Sequence, residues 1–104
     1  MEVISASKLK EILEAGNSLT ILDVRDENEL SGKLGHLKNS INIPVGSLRN
    51  RISELETMRD SKIVIVCRSG VRAVTAAGLL DREGFGNVKV LKGGMLAWRE
   101  LEAE

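Results

Sequence analysis

Lys62-Ile63-Val64-Ile65-Val66-Cys67-Arg68-Ser69-Gly70-Val71-Arg72 is the stretch that decides the fold of this chain. Ile63 to Val66 is an unbroken run of β-branched apolar residues, the pattern of a strand covered on both faces. It ends at Cys67, and a short loop containing Gly70 leads straight into helical spacing over Val71 to Glu83, with Val74, Ala77, Gly78 and Leu80 or Asp81 expected to set the register. Gly84 suits the left-handed stop of that helix. A buried strand feeding a helix through a few residues is one half of a parallel βα unit.

The same alternation continues outward in both directions. Toward the C-terminus, Asn87 to Leu91 reads as a strand, Gly93-Gly94 as a tight turn and Met95 to Leu101 as a helix. Toward the N-terminus, Ser47 is expected to cap a helix carrying Leu48, Ile52 and Leu55 on one face, preceded by a brief strand, Ile41 to Ile43, that Pro44 stops. Ser31 to Ser40, with Gly32 and Gly35, has no period and reads as a loop, and Arg25 to Leu30 as a short polar helix or turn. Leu19 to Val24 is a second buried strand after the Asn17-Ser18 turn. Ser5-Ala6-Ser7 offers an N-cap ahead of a helix over Lys8 to Ala15, with Leu9, Ile12 and Leu13 on one face and Gly16 as its stop. Val3-Ile4 is a short apolar pair. Strands alternating with helices predict an α/β domain with a mostly parallel sheet, and 104 residues suit one domain over 1–104.

Composition narrows the function. Fifteen basic residues balance fifteen acidic ones and aromatics are 2%, which argues against a nucleic-acid surface and against base-stacking platforms. No apolar run approaches the ~20 residues of a membrane helix, and the first residues lack the pattern of a signal peptide. The single cysteine excludes an intramolecular disulfide and a multi-cysteine zinc site. The expectation is a cytoplasmic monomer with no metal and no partner membrane.

Chemistry concentrates at Cys67. In open parallel sheets ligands bind beyond the carboxyl ends of the strands. There the sulfur meets a helix N-terminus with its unpaired N–H groups, a short loop whose successive amides form an anion-binding nest, and the flanking Arg68 and Arg72. Such surroundings favour the thiolate, so the sequence predicts a nucleophile with a built-in anion site. The plain alternative is a buried small hydrophobe, the common fate of a free cysteine. The strand, cysteine, glycine-containing loop and helix in that order favour chemistry.

These residues resemble the rhodanese (sulfurtransferase) domain family. Cys67-Arg68-Ser69-Gly70-Val71-Arg72 is similar to its six-residue active-site loop, and Leu22-Asp23-Val24-Arg25 to its early "DVR" segment. Gly35-His36-Leu37 with Ser40-Ile41-Asn42-Ile43-Pro44 resembles the family's "GHI" and "INIP" stretch, with Leu37 and Ser40 where Ile and Ala are common. Phe85 to Leu91 and Gly93-Gly94-Met95-Leu96-Ala97-Trp98 resemble its last strand and "GG-x-x-AW" turn. The resemblance implies a five-stranded parallel sheet flanked by helices on both faces, with the reactive cysteine cradled at its edge. It implies a catalytic Cys67 that takes a sulfane sulfur from a small anionic donor such as thiosulfate. The resulting persulfide passes it to cyanide, a thiol or a protein acceptor, without a cofactor. Arg68, Ser69, Gly70, Val71 and Arg72 then line the substrate.

Asp23 and Arg25 are expected to brace the strand end, since buried charges need partners. His36, the only histidine, invites a Cys–His dyad, but a loop that ionises cysteine through dipoles needs no base. Phe85 and Trp98 are expected in the core, and Glu54, Glu56, Arg59 and Asp60 on a solvated face. Two rivals stand beside sulfur transfer. One is a cysteine phosphatase or arsenate reductase, although Cys67 and Arg72 enclose one residue fewer than a Cys-x5-Arg phosphate loop. The other is a persulfide relay or interaction module for a partner protein.

Overall fold

The computed structural model describes residues 1–104. Five parallel strands form one sheet: β1 (Glu2–Ile4), β2 (Thr20–Asp23), β3 (Ile41–Asn42), β4 (Ile63–Val66) and β5 (Val88–Leu91), in the order β1-β5-β4-β2-β3. Four helices connect them: α1 (Ala6–Glu14), α2 (Val45–Arg51), α3 (Val71–Arg82) and α4 (Gly94–Glu102). Two 3-10 segments, Glu27–Ser31 and Ile52–Met58, fill the remaining crossings. The parallel five-stranded sheet between helices is the architecture the sequence predicts, with β4 at its centre.

The unbroken apolar run of β4 divides between two cores. Ile63, Ile65 and Cys67 face one side, where Leu48 of α2, Leu55, and Ala73, Ala76, Ala77 and Leu80 of α3 cover them. Val64 and Val66 face the other, against Leu9 of α1 and Met95 and Trp98 of α4. Period-2 alternation of side chains thus gives β4 a helical layer on each face, which is why all four of its residues are apolar and buried. Phe85 and Trp98 both lie in the core, as expected.

Three local expectations are corrected. The Ser47 cap is not used: α2 starts at Val45, directly after Pro44, whose φ of −54° and missing N–H fit the edge of a helix. At α1 the cap is Ser5, whose hydroxyl accepts the Lys8 N–H at 3.1 Å, so the helix begins at Ala6. On α3 the buried face is Ala73, Ala76, Ala77 and Leu80, while Val74 is 46% exposed. Small residues let the helix backbone lie close to the sheet, and the bulkier valine is turned outward.

Candidate active site

Cys67 follows the last residue of β4, at the carboxyl edge of the central strand rather than on an outer strand. Its side chain is 1% exposed, so the sulfur is buried as the plain reading expects, yet its surroundings are polar on one side. The Gly70 N–H donates to Sγ at 3.0 Å and the Ala73 N–H at 3.4 Å. Gly70 adopts φ 116°, a conformation that L side chains rarely reach, and this bend turns its amide back onto the sulfur. Ala73 lies in the first turn of α3, where backbone N–H groups lack helical partners.

The outer rim of the loop is held by a different element. The N–H groups of Met95 and Leu96, in the first turn of α4, donate to the carbonyl oxygens of Cys67 at 2.8 Å and Arg68 at 3.1 Å. The loop's carbonyls are therefore occupied from outside, which leaves its amides free to converge on Sγ. Contact this close requires a glycine. A Cβ on Gly94, at φ 57°, would lie 2.6 Å from the Arg68 carbonyl oxygen and nearer still to that of Cys67. The Gly93-Gly94 pair reads as a turn in sequence; its role as a buttress of the cysteine loop was not legible there.

The two arginines part company. Arg68 is exposed and makes no side-chain hydrogen bond or ion pair within the chain. Arg72 is half-buried and forms a fork with Glu29, Nη1 to Oε2 at 2.6 Å and Nη2 to Oε1 at 2.9 Å. The Glu29 carboxyl is held well below its usual range, at about 2, chiefly by the hydrogen-bonded Arg72 guanidinium. Arg72 is pushed up in turn, first by its hydrogen bond to Glu29. Sequence reasoning missed Glu29, which lies 43 positions before Arg72. Ser69 and Val71 are exposed on the same loop, Val71 to 75%.

Asp23 and Arg25 form a buried ion pair beside the site, both side chains 1% exposed. Arg25 Nη2 donates to Asp23 Oδ2 at 2.7 Å and to the Gly35 carbonyl at 2.7 Å, which ties the strand end to the loop over 31–40. Asn42 Nδ2 donates to the Asp23 and Arg25 carbonyl oxygens at 3.0 and 2.9 Å. His36 is exposed, and its Nδ1 lies 3.2 Å from the Leu30 carbonyl; it makes no hydrogen bond with Cys67. Arg59 pairs with Glu56 and stacks 4.7 Å above the Phe85 ring, so that face is more than solvated charge. A groove of about 460 Å3 lies away from the sulfur, between β1 and α3, and is lined by Met1, Val74, Asp81 and Phe85 among others. No helix is long and apolar enough to cross a membrane.

The family model of the rhodanese-like domain matches residues 5–101. The chain belongs to the rhodanese-like domain family. Among its relatives, the thiosulfate sulfurtransferase GlpE of Shewanella oneidensis is 33% identical over 100 residues, covering 96% of this chain and 94% of that protein. YtwF of Bacillus subtilis is 36% identical over 95 residues, covering 91% of this chain and 87% of its own. The crystal structure of a rhodanese-related protein from Thermoplasma volcanium superposes with a TM-score of 0.84 at 37% identity, over 97% of this chain and 93% of that one. These relatives of similar length carry the rhodanese-like fold assignment.

Proposed function

We propose that this rhodanese-like domain is a sulfurtransferase that carries a sulfane sulfur on Cys67. The observation that supports the reading best is the convergence of the Gly70 and Ala73 N–H groups on Sγ, backed by the hold of α4 on the loop carbonyls. Donors fixed in place before reaction stabilise a charged sulfur without reorganising during the step. The names of its relatives, GlpE among them, agree with this class of reaction.

In the first half-reaction the Cys67 thiolate attacks the outer sulfur of thiosulfate. Its electron pair forms the new S–S bond while the bond to the sulfonate breaks, and that pair leaves on sulfite. The product is a Cys67 persulfide whose terminal sulfur carries the negative charge into the ring of amides. In the second half-reaction cyanide, a thiol or a protein thiol attacks that terminal sulfur, and the electron pair returns to Sγ as thiolate. No electron donor outside the substrates is needed and no cofactor enters the balance. The thiol must start reduced, which suits a cytoplasmic setting. The 75% exposure of Val71 beside the unpaired Arg68 favours a second reading, in which the acceptor is a partner protein that covers the loop.

The test is mass spectrometry and turnover together. After treatment with thiosulfate, intact mass is expected to rise by about 32 Da, one sulfur, at Cys67. Addition of cyanide is then expected to release thiocyanate and restore the original mass. Cys67→Ser is expected to do neither. Thiocyanate formation that survives Cys67→Ser, or release of phosphate from an aryl phosphate without any thiocyanate from thiosulfate, would overturn the proposal. Full transfer to protein thiols with poor turnover on small acceptors would select the relay form of it.

A further inference from the structure

The fork between Arg72 and Glu29 does something the sequence does not anticipate: it engages both terminal nitrogens of the one loop guanidinium that is anchored near the sulfur. None of the Arg72 N–H groups bonds to Sγ, whose donors are the backbone amides of Gly70 and Ala73. Glu29 is not a loose surface side chain. Its Oε2 also accepts the Asp26 N–H at 2.9 Å, closing a capping box on the 3-10 turn Glu27–Ser31. That turn follows the strand end pinned by Asp23, Arg25 and Asn42, so the carboxylate has a fixed anchorage. Two acidic side chains, Asp26 and Glu29, act on Arg72 in this corner. Arg72 therefore offers little free charge to a dianion, because these carboxylates meet it, and Arg68 alone stays unpaired at the rim.

Resting on the sulfur-transfer reading above, we propose that Glu29 is a specificity-determining residue acting through Arg72, holding its forked edge so that the loop favours organic hydropersulfides over dianionic thiosulfate. An organic persulfide brings at most one negative charge to the site, against two on thiosulfate. The Cys67 thiolate forms a bond to its outer sulfur, the RS–SH bond breaks with its pair on the RS sulfur, and RS⁻ leaves as a thiolate. The proton on the transferred sulfur passes to the departing RS⁻, which gives RSH and leaves the Cys67 persulfide anion in the ring of amides. A sulfonate group, by contrast, brings its charge close to a carboxylate that is already paired and cannot move away without breaking the turn's cap. Glu29 is a positioning residue in this scheme: it touches Arg72 and not the reacting sulfur.

The experiment compares steady-state kinetics with thiosulfate and with 2-hydroxyethyl persulfide in the wild type and in Glu29→Gln. The amide retains an oxygen for the Asp26 N–H and the size of the side chain, but removes the charge and loosens the fork. KM for thiosulfate is expected to fall about tenfold, the equivalent of one charge-assisted contact at ~1.4 kcal/mol, while KM for the persulfide changes far less. In an Arg72→Gln background the same substitution is expected to leave the ratio of the two KM values nearly unchanged, because the effect runs through the guanidinium. A rise in the thiosulfate KM, or an equal change for both donors, overturns the proposal. A further readout needs no variant: wild-type kcat/KM for thiosulfate is expected to hold or rise as salt increases, and a steep fall, the mark of an attractive cationic mouth, overturns it as well. Should the wild type give neither thiocyanate nor a mass increase with either donor, the sulfur-transfer reading itself fails, an outcome separate from these.

Discussion

Replacing Gly94 by alanine tests whether α4 frames the cysteine loop. The added Cβ would sit 2.6 Å from the Arg68 carbonyl oxygen and nearer still to that of Cys67, where ordinary contact begins near 3.4 Å, so loop and helix must part by at least about 0.8 Å. That displacement stretches the Met95 and Leu96 hydrogen bonds, now 2.8 and 3.1 Å, beyond useful length. Losing two such bonds costs about 1 kcal/mol each, and alanine at a left-handed φ adds ~1–2 kcal/mol. The expected destabilisation is therefore about 3–4 kcal/mol, which in a domain of this size lowers Tm by at least ~12 °C. Urea denaturation measures the first figure. Single-turnover persulfidation of Cys67 by thiosulfate, followed by mass, measures the functional loss, expected to be at least about tenfold because a 1 Å misplacement near reacting groups has large kinetic effects. Gly78 supplies the control. It lies within α3 with nothing inside 4 Å of its would-be Cβ, so Gly78→Ala is expected to stabilise by about 0.5–1 kcal/mol. Gly94→Ala with wild-type stability and an unchanged persulfidation rate would refute the claim that α4 holds the loop in shape.

Two further outcomes concern charge. Asp23→Ala leaves the Arg25 guanidinium 1% exposed and without its carboxylate, and is expected to cost about 3–5 kcal/mol by chemical denaturation. A loss below 1 kcal/mol would mean that Arg25 finds another partner. Glu29 is held at about 2 against an ordinary 4.5, so its pairing with Arg72 stabilises the fold fully above pH ~5 and is lost as pH falls from there toward 2. Because both groups are partly exposed and screened, the contribution is about 1–2 kcal/mol. Acid denaturation of Glu29→Gln is expected to show a shallower pH dependence between 5 and 2 than the wild type, and superposable profiles would contradict it.

The strands were legible because apolar runs this dense have one home, the inside of a sheet covered on both faces. The position of Cys67 followed from the same run, since a chain leaving a parallel strand must turn at its carboxyl end. Helix boundaries were less legible. Ser47 is a good cap by composition, but Pro44 sits where the chain actually turns, and backbone geometry outweighed the hydroxyl. The face of α3 was legible in part: Ala77 and Leu80 lie on it as expected, but hydrophobic size suggests Val74, whereas close approach to the sheet selects Ala73 and Ala76. At the site, residue types could say that Arg72 stands near the sulfur but not that Glu29 holds it, since that pairing joins segments that only the fold brings together. The service of Gly94 was hidden for a similar reason: glycine has no side chain to announce what its backbone touches.

The hold of α4 on the cysteine loop also has a bearing on the order in which the molecule is made. Cys67 leaves the ribosome well before Met95 and Leu96, whose amides fasten its loop, and β1 pairs with β5, a strand made much later than itself. A nascent chain can thus carry the thiol for some time before anything frames it. A polypeptide that stops before residue 93 lacks the two amides that fasten the cysteine loop, and so leaves that loop without its outer support.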